Sequence, residues 1–305
     1  MNLIALLIGI IIERLATQIF HWRRLRFMEG LIDWGFDHAR RLPDLPPLAA
    51  IIIITVVLAL PVFLVTFLLG DALFGFPYLA LAIVVLFFSL GPKDIGEEVD
   101  EYCAALEAND EERIQQTATA LVEGDVPADM LERIHCVEAA VTVRANNRLF
   151  AVIFWFMLLG PLGAWTYRVT DLIRRRAIFN DNRSDDEADQ SDRFRDAAEL
   201  LHGWLAWIPA RLTAIGYAVA GHFDAALHAW RDGPAYKADS LAEGSEELLA
   251  RVGVGALSMH DLADEEVTAR GVRGATAANK LVFRLLTIWA VVIAALTLYG
   301  LSLIH

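Results

Sequence analysis

Apolar and polar positions along this chain are sorted into blocks. Four blocks read as membrane-crossing helices: Asn2–Phe20, Leu48–Leu69, Tyr78–Leu90, which is somewhat short, and Val282–Ile304. The yardstick is the ~20 residues that a helix needs to cross hydrocarbon. A fifth apolar run, Leu149–Leu159, is about half that length and breaks at Gly160-Pro161-Leu162-Gly163 before resuming toward Tyr167 and Asp171. Proline lacks a backbone donor and clashes with the preceding turn, and glycine loosens the backbone, so a helix stops or kinks there. Two arrangements fit this run. One is a bent or re-entrant hairpin that gathers the flanking Asn146, Asn147, Arg148, Arg168 and Asp171; the other is one kinked spanning helix from Leu149 to Tyr167.

Between these blocks the period changes. Trp22–Arg41 carries Leu25, Met28, Leu31, Ile32, Phe36 and Ala39 at helical spacing, which predicts an amphipathic helix lying on the bilayer. Asp94–Val143 reads as three amphipathic helices. Their inward faces carry Val99, Tyr102, Cys103 and Leu106, then Ile114, Ala118 and Leu121, then Leu131, Ile134, Val137 and Val141. Asn180–Asp192 is strongly polar and reads as a linker without a core. Its acidic run lacks the glycine and terminal glutamate of a calcium loop. Phe194–Leu205 is predicted helical, Trp207–Trp230 is apolar but interrupted by Pro209, Arg211, Gly216, Gly221, His222 and Asp224, and Ser240–Met259 is a small-residue helix.

The resulting fold class is all-α: an integral membrane protein with about four transmembrane helices, a broken or re-entrant hairpin and a helical cytoplasmic region. The divisions fall at 1–91 (membrane helices and interfacial helix), 92–148 (cytoplasmic helices), 149–179 (hairpin), 180–193 (acidic linker), 194–281 (membrane-proximal helices) and 282–305 (closing span).

Composition agrees with that segregation. Of 305 residues 56% are hydrophobic and 21% charged, with mean hydropathy +0.44. A net charge of −13 argues against a nucleic-acid partner. Cys103 and Cys136 fall in stretches assigned to the cytoplasm, where thiols stay reduced. Cys136 beside His135 reads as a buried pair rather than half of a metal site, and neither CxxC nor HExxH spacing occurs. The first apolar segment lacks a basic leader and a small-residue cleavage site, so it reads as a retained helix. Arg23, Arg24, Arg26, Arg40 and Arg41, and later Arg174-Arg175-Arg176, mark the cytoplasmic side. Placing both patches inside favours the re-entrant arrangement and puts Asp94–Lys280 in the cytoplasm of a multi-pass bacterial inner-membrane protein.

The candidate site residues are those whose polarity is out of place. Glu13 and Arg14 interrupt the first apolar helix, either as a functional pair or where that helix reaches the interface. His21 is a candidate, although with Trp22 it also suits a headgroup anchor. Asn147, Arg148, Arg168, Asp171 and Arg174 flank the hairpin. Arg211 is read as a ligand group or as the partner of Asp171 or Glu13 in a buried ion pair, and His222 as a ligand group or a helix-terminus residue. Glu97, Glu98 and Asp100 read as a solvated face, and Trp155 and Phe156 as lipid- or core-facing.

At the WIPARLT and GHFDAALHAW runs the sequence resembles the AmpE family, inner-membrane regulatory signalling modulators linked to induction of AmpC β-lactamase. Glu13-Arg14, His21-Trp22, the FAVIFWF run, Tyr167-Arg168 and the terminal LLTIWAVVIAALTLYGL run carry the same resemblance across nearly the whole chain. AmpE proteins are in turn similar to the CobD/CbiB cobalamin-pathway synthases, which form an amide with ATP and a divalent metal. That pattern's acidic groups do not carry over: Asn147 and Arg174 stand where it has Asp, Asp171 where it has Asn, and His202-Gly203 where it has a double Asp.

Magnesium needs hard oxygen ligands to shield phosphate charge, so the resemblance implies a degenerate site and a protein that is more a regulator or binding protein than an enzyme. No cofactor is assigned. Nucleotide and Mg2+ enter only under an alternative reading as a membrane-bound synthase or transferase, with Glu13 and Asp171 as ligands. A further alternative is a non-catalytic assembly partner of another membrane protein. The leading expectation is a basic chamber of Arg148, Arg168, Arg174 and Arg211 holding a phosphate or muropeptide-like anion. Its partners are then the lipid bilayer and possible protein contacts, including a second copy of the chain.

Overall fold

The computed structural model describes residues 26–42, 44–69, 76–90, 94–181, 188–232, 240–259 and 265–298. Among them there is no strand. The helices are α1 (Arg26–Arg40), α2 (Pro47–Leu69), α3 (Phe76–Ser89), α4 (Ile95–Glu107), α5 (Glu111–Val122), α6 (Met130–Ala145), a π-helical turn (Asn146–Phe150), α7 (Ala151–Asp181), α8 (Ala188–Ala220), α9 (Phe223–Arg231), α10 (Leu241–Leu257) and α11 (Val267–Leu298). Glu13, Arg14 and His21, with the whole Asn2–Phe20 segment, lie outside the described residues.

By length and composition alone, three helical stretches could cross a membrane: Pro47–Leu68, Val267–Leu296 and Met130–Asp181, the last of which folds back on itself at Gly160. On α2, Ala50, Ile51 and Ile54 are buried while Ile53, Val56, Val57, Phe63, Leu64, Phe67 and Leu68 are exposed. So large an apolar surface belongs in lipid. Pro47 opens α2 at the position where a missing N–H costs nothing. Helix α3 has 14 residues, about 21 Å, and so falls short of ~30 Å of hydrocarbon. Tyr78–Leu90 is therefore an apolar helix below full spanning length, and a count of four crossings does not follow from the described residues.

The polar block is built as its periodicity predicts, with Leu131 as an exception: it is exposed, whereas Ile134, Val137 and Val141 are buried. Each of its three helices begins with an aspartate that accepts a backbone N–H: Asp94 from Gly96 (3.1 Å), Asp110 from Arg113 (3.2 Å) and Asp129 from Glu132 (3.0 Å). Their apolar faces close over α8, α10 and the first half of α11, with Tyr102, Val137, Tyr217, Leu249 and Leu285 fully enclosed. Helix α11 starts at Val267, well before the expected closing span, and its first turns belong to this core. Cys103 is buried and Cys136 half-buried, both as free thiols, and His135 is exposed beside Glu138, so His135 and Cys136 are not a buried pair.

The polar linker is shorter than its composition implies. Helix α7 continues to Asp181 and α8 begins at Ala188, because Phe194, Ala197 and Ala198 bury a helical face against Ile32 and Phe36 of α1. Helix α8 then runs unbroken through Pro209 to Ala220. Pro209 leaves the Leu205 carbonyl without its helical donor, and Trp155 Nε1 supplies the bond at 3.0 Å. The indole that reads as lipid- or core-facing in the sequence thus repairs a proline break in its neighbour.

The chain turns back at Gly160. Its φ of 66° and ψ of −152° lie in a region essentially reserved for glycine. A Cβ at Gly163 would overlap the Trp155 carbonyl and sit 2.7 Å from Leu159 Cβ. In a straight helix, residues eight apart are about 12 Å apart, so the two limbs fold on each other. Trp165 Nε1 ties the second limb to the Leu58 carbonyl of α2 at 3.0 Å. The hairpin is real, and the single kinked helix is not.

Candidate functional site

The hairpin brings its two polar ends together. On the ascending side the helix widens into a π-turn at Asn146–Phe150, a local underwinding that often marks functional positions. It aims consecutive side chains at different partners. Asn146 accepts from Thr213 Oγ1 at 2.9 Å, Asn147 Nδ2 donates to Glu246 at 3.1 Å, and Arg148 donates to Glu98 at 2.8 Å and to Glu123 at 3.0 Å. On the descending side, Arg168 and Arg175 both donate to Asp171, at 2.8 and 3.1 Å, and Arg174 donates to Glu246 at 2.8 Å. Arg175 also reaches Glu123 at 2.5 Å, and Arg144 pairs with the same carboxylate.

Five guanidiniums (Arg144, Arg148, Arg168, Arg174, Arg175) thus face four carboxylates (Glu98, Glu123, Asp171, Glu246), a formal excess of one positive charge. Of these, Arg144, Arg174, Arg175, Glu123 and Glu246 line a cleft of about 470 Å³ together with Asn147, with Val122, Val143, Ile178 and Phe179 as apolar walls, while Arg148, Arg168, Glu98 and Asp171 are buried and not part of its lining. Burial pushes the Glu246 carboxyl upward, but Arg174 and Asn147 outweigh it and hold the group below its ordinary value.

Behind Asp171 the cluster becomes dry. His202 is fully buried, with its ring 5.3 Å from that of Tyr167 and its Nε2 4.0 Å from Asp171. Burial first, and then the positive charge of Arg174, lowers its pKa to about 3, so the imidazole is neutral at neutral pH. Neither ring nitrogen of His202 nor the Tyr167 hydroxyl has a hydrogen-bond partner.

The sequence-derived candidates divide accordingly. Asn147, Arg148, Arg168, Asp171 and Arg174 converge. Arg211 does not: its guanidinium lies 3.9 Å over the Trp207 ring and donates to the Trp207 carbonyl on the outward face of α8. Asp171 is paired with Arg168 and Arg175 instead. His222 caps α9 some way off, its backbone N–H bonded to the Ala256 carbonyl at 2.8 Å.

Glu98 is buried against Arg148 and is not part of a solvated face, since it looks inward across the helix from exposed Asp100. Arg144 and Arg175 were legible, one lying four residues before Arg148 and the other four after Asp171. Glu123, His202 and Glu246 reach the site only through tertiary packing.

A hard divalent cation does not fit this arrangement. Asp171 and Glu246 are each occupied by arginine, and among the described residues no three His, Cys, Asp or Glu side chains gather as a metal cluster.

These features define a multi-pass helical membrane protein with an arginine-rich cleft at the base of a buried hairpin. The profile described as "Regulatory signalling modulator protein AmpE" matches residues 1–303, and the chain belongs to the AmpE family. It is also similar to proteins named "Cobalamin biosynthesis protein CobD". The one from Stutzerimonas stutzeri (strain A1501) is 30% identical over 175 residues, covering 56% of this chain and 54% of that protein. The one from Chromobacterium violaceum is 25% identical over 150 residues, covering 49% and 46%. The chain spans about half the length of these relatives. No solved structure matches.

Proposed function

We propose that this protein is a non-catalytic inner-membrane regulator that binds a phosphate-bearing or otherwise anionic ligand in the arginine cleft, in the service of β-lactamase induction and cell-wall recycling. The observation that carries this reading is the convergence of five arginines at the two ends of one hairpin, three of which, Arg144, Arg174 and Arg175, line the cleft. Guanidiniums present paired donors that match phosphate and carboxylate oxygens. The hairpin supplies the scaffold. From Arg148 to Gly160 is about 18 Å of helix and from Gly160 to Arg175 about 22 Å, against ~30 Å of hydrocarbon. With the arginines at the cytoplasmic surface, the tip stops part-way across the bilayer. Irregular backbone at such depth needs protein around it, and α2 and α8 provide it through Trp165 and Trp155.

The test is thermal stabilisation of the detergent-purified protein by inorganic phosphate, nucleotides and a muropeptide-type anion, compared with Arg174→Met and Arg175→Met. Stabilisation that disappears in both variants supports the reading, and no stabilisation by any of these anions at millimolar concentration rejects it.

The partial likeness to CobD favours a second reading, a membrane-bound ATP- and metal-dependent amide-forming synthase or transferase. ATP turnover that depends on Mg2+ and falls in Glu13→Gln and Asp171→Asn would establish it. The pairing of Asp171 with two arginines weighs against it.

A further inference from the structure

We infer that Glu123 is a built-in competitor for the anion site: its carboxylate occupies the place of the ligand's anionic group, and ligand binding expels it together with the exposed turn that carries it. The inference rests on the anion-binding reading above.

The geometry around this one side chain is lopsided. Arg144, Arg148 and Arg175 all direct a guanidinium nitrogen at the same oxygen, Glu123 Oε1. A carboxylate oxygen has two lone pairs; Arg148 and Arg175 take them with hydrogen bonds, while Arg144 Nη1 pairs with the same oxygen without a hydrogen bond of its own. A phosphate offers three strong acceptor oxygens and about −1.5 to −2 charge at neutral pH. Three converging guanidiniums are therefore matched better by phosphate than by the resident carboxylate. The cleft provides the room beside Arg144 and Arg175, and Glu123 stands at its edge.

Glu123 is also placed to leave. It caps the end of α5 in the left-handed conformation, φ 55°, and its own N–H bonds to the Thr119 carbonyl at 2.9 Å. Few residues other than glycine and asparagine sit there without cost, so the conformation is held by the three arginine contacts. Gly124 follows with open space around it, and residues 123–125 are exposed. Beyond them Arg133 fixes the chain again by donating to the Pro127 and Ala128 carbonyls at 3.1 and 2.9 Å. The segment free to swing is thus 123–125, held at its far end by Val126, which packs against the helical core. Its release would alter the cytoplasmic surface without disturbing the core, giving the membrane site an output that a soluble partner can read.

The experiment measures inorganic phosphate affinity for wild type and for Glu123→Gln by calorimetry in detergent, with hydrogen exchange of segment 123–125 in wild type with and without phosphate. Removing the competing charge while keeping the shape should tighten phosphate binding about tenfold. Phosphate should also raise exchange in 123–125 of the wild type. Unchanged or weaker binding in Glu123→Gln, beside measurable binding by wild type, overturns the inference and leaves the anion site intact. So does exchange that falls or stays level on phosphate addition, a readout that holds even if Glu123→Gln does not fold. Binding by neither protein, with Glu123→Gln folded, removes the anion site itself.

Discussion

Two glutamates in this molecule, one buried and one at a cleft edge, pair with arginines to opposite effect. Glu138, in the helical block, is 1% exposed and pairs with Arg270 at 2.5 Å, with His135 3.4 Å away at the rim. Gly274 lies against the pair so closely that a Cβ would overlap both the Glu138 carboxylate and the Arg270 guanidinium. Glu123 lies at the cleft with its side chain 35% exposed and three arginines around it. The first is a charge enclosed with its counterpart, so removing it breaks a buried ion pair. The second is one anion among an excess of cations at a wet edge, where another anion can take its place. Charge pairs in the same protein can thus serve architecture in one region and exchange in another, and burial together with stoichiometry tells them apart.

The largest effect should come from breaking the enclosed pair. Glu138→Ala removes the buried carboxylate that pairs with Arg270 and faces His135, and breaking a buried pair costs up to about 3–5 kcal/mol. Chemical denaturation in detergent should show it, with Gly274→Ala giving a loss in the same direction through overlap. If Glu138→Ala melts like wild type, the distinction between the two glutamates collapses.

Next is Gly160→Ala. A side chain at φ 66°, ψ −152° costs about 1–3 kcal/mol, and the strain falls on the turn that brings Arg148 and Arg175 together. This variant should therefore weaken both stability and anion binding while sparing the Glu138–Arg270 pair. Denaturation and phosphate titration of one preparation separate the two outcomes. Unaltered phosphate affinity in a folded Gly160→Ala protein would mean that the cleft does not depend on the turn.

How much of this was readable beforehand follows from range. The broken run at Gly160-Pro161, the long apolar helices, the helical block and its capping aspartates are local patterns, and the polar residues flanking the hairpin do meet. Arg168, Asp171 and Arg175 also lie at helical spacings of three and four, so their pairing is written in the chain. Glu123 and Glu246 are far in sequence from the arginines they contact, and nothing in their own segments marks them. Arg211 misleads for the opposite reason: inside an apolar run it looks buried, but α8 turns it outward onto Trp207. The polar stretch after Asp181 misleads because its composition is that of a linker, whereas packing of Phe194 against Phe36, with ring centroids 5.7 Å apart, draws the adjoining turns into helix.

The dry side of the cleft can be tested by pH. His202 stays neutral in the folded protein down to about pH 3, whereas the unfolded chain takes up a proton below about 6.5. The folded-state pKa is depressed, so the unfolded form binds more protons between those values. Stability is full above 6.5 and declines as pH falls through that window, by at most about 1.4 kcal/mol for each unit. Melting curves of wild type and His202→Gln from pH 7 to 5 should diverge, with the variant losing less. Parallel curves would mean that His202 is solvated in the folded protein, and the cleft would then be wet throughout.

The smallest effect is the most diagnostic. Glu123→Gln removes a partly exposed carboxylate from a site that keeps three other carboxylates, Glu98, Asp171 and Glu246. Its cost to stability should stay below that of Glu138→Ala, since Arg148 keeps Glu98 and Arg175 keeps Asp171 as partners. Release of the left-handed turn at φ 55° offsets part of even that. Measured beside Glu138→Ala, it should be clearly the smaller of the two losses. A comparable loss in both would make Glu123 a structural keystone like Glu138. A small loss accompanied by added phosphate stabilisation would show that the same residue pairing, moved to the edge of a cleft, has become replaceable.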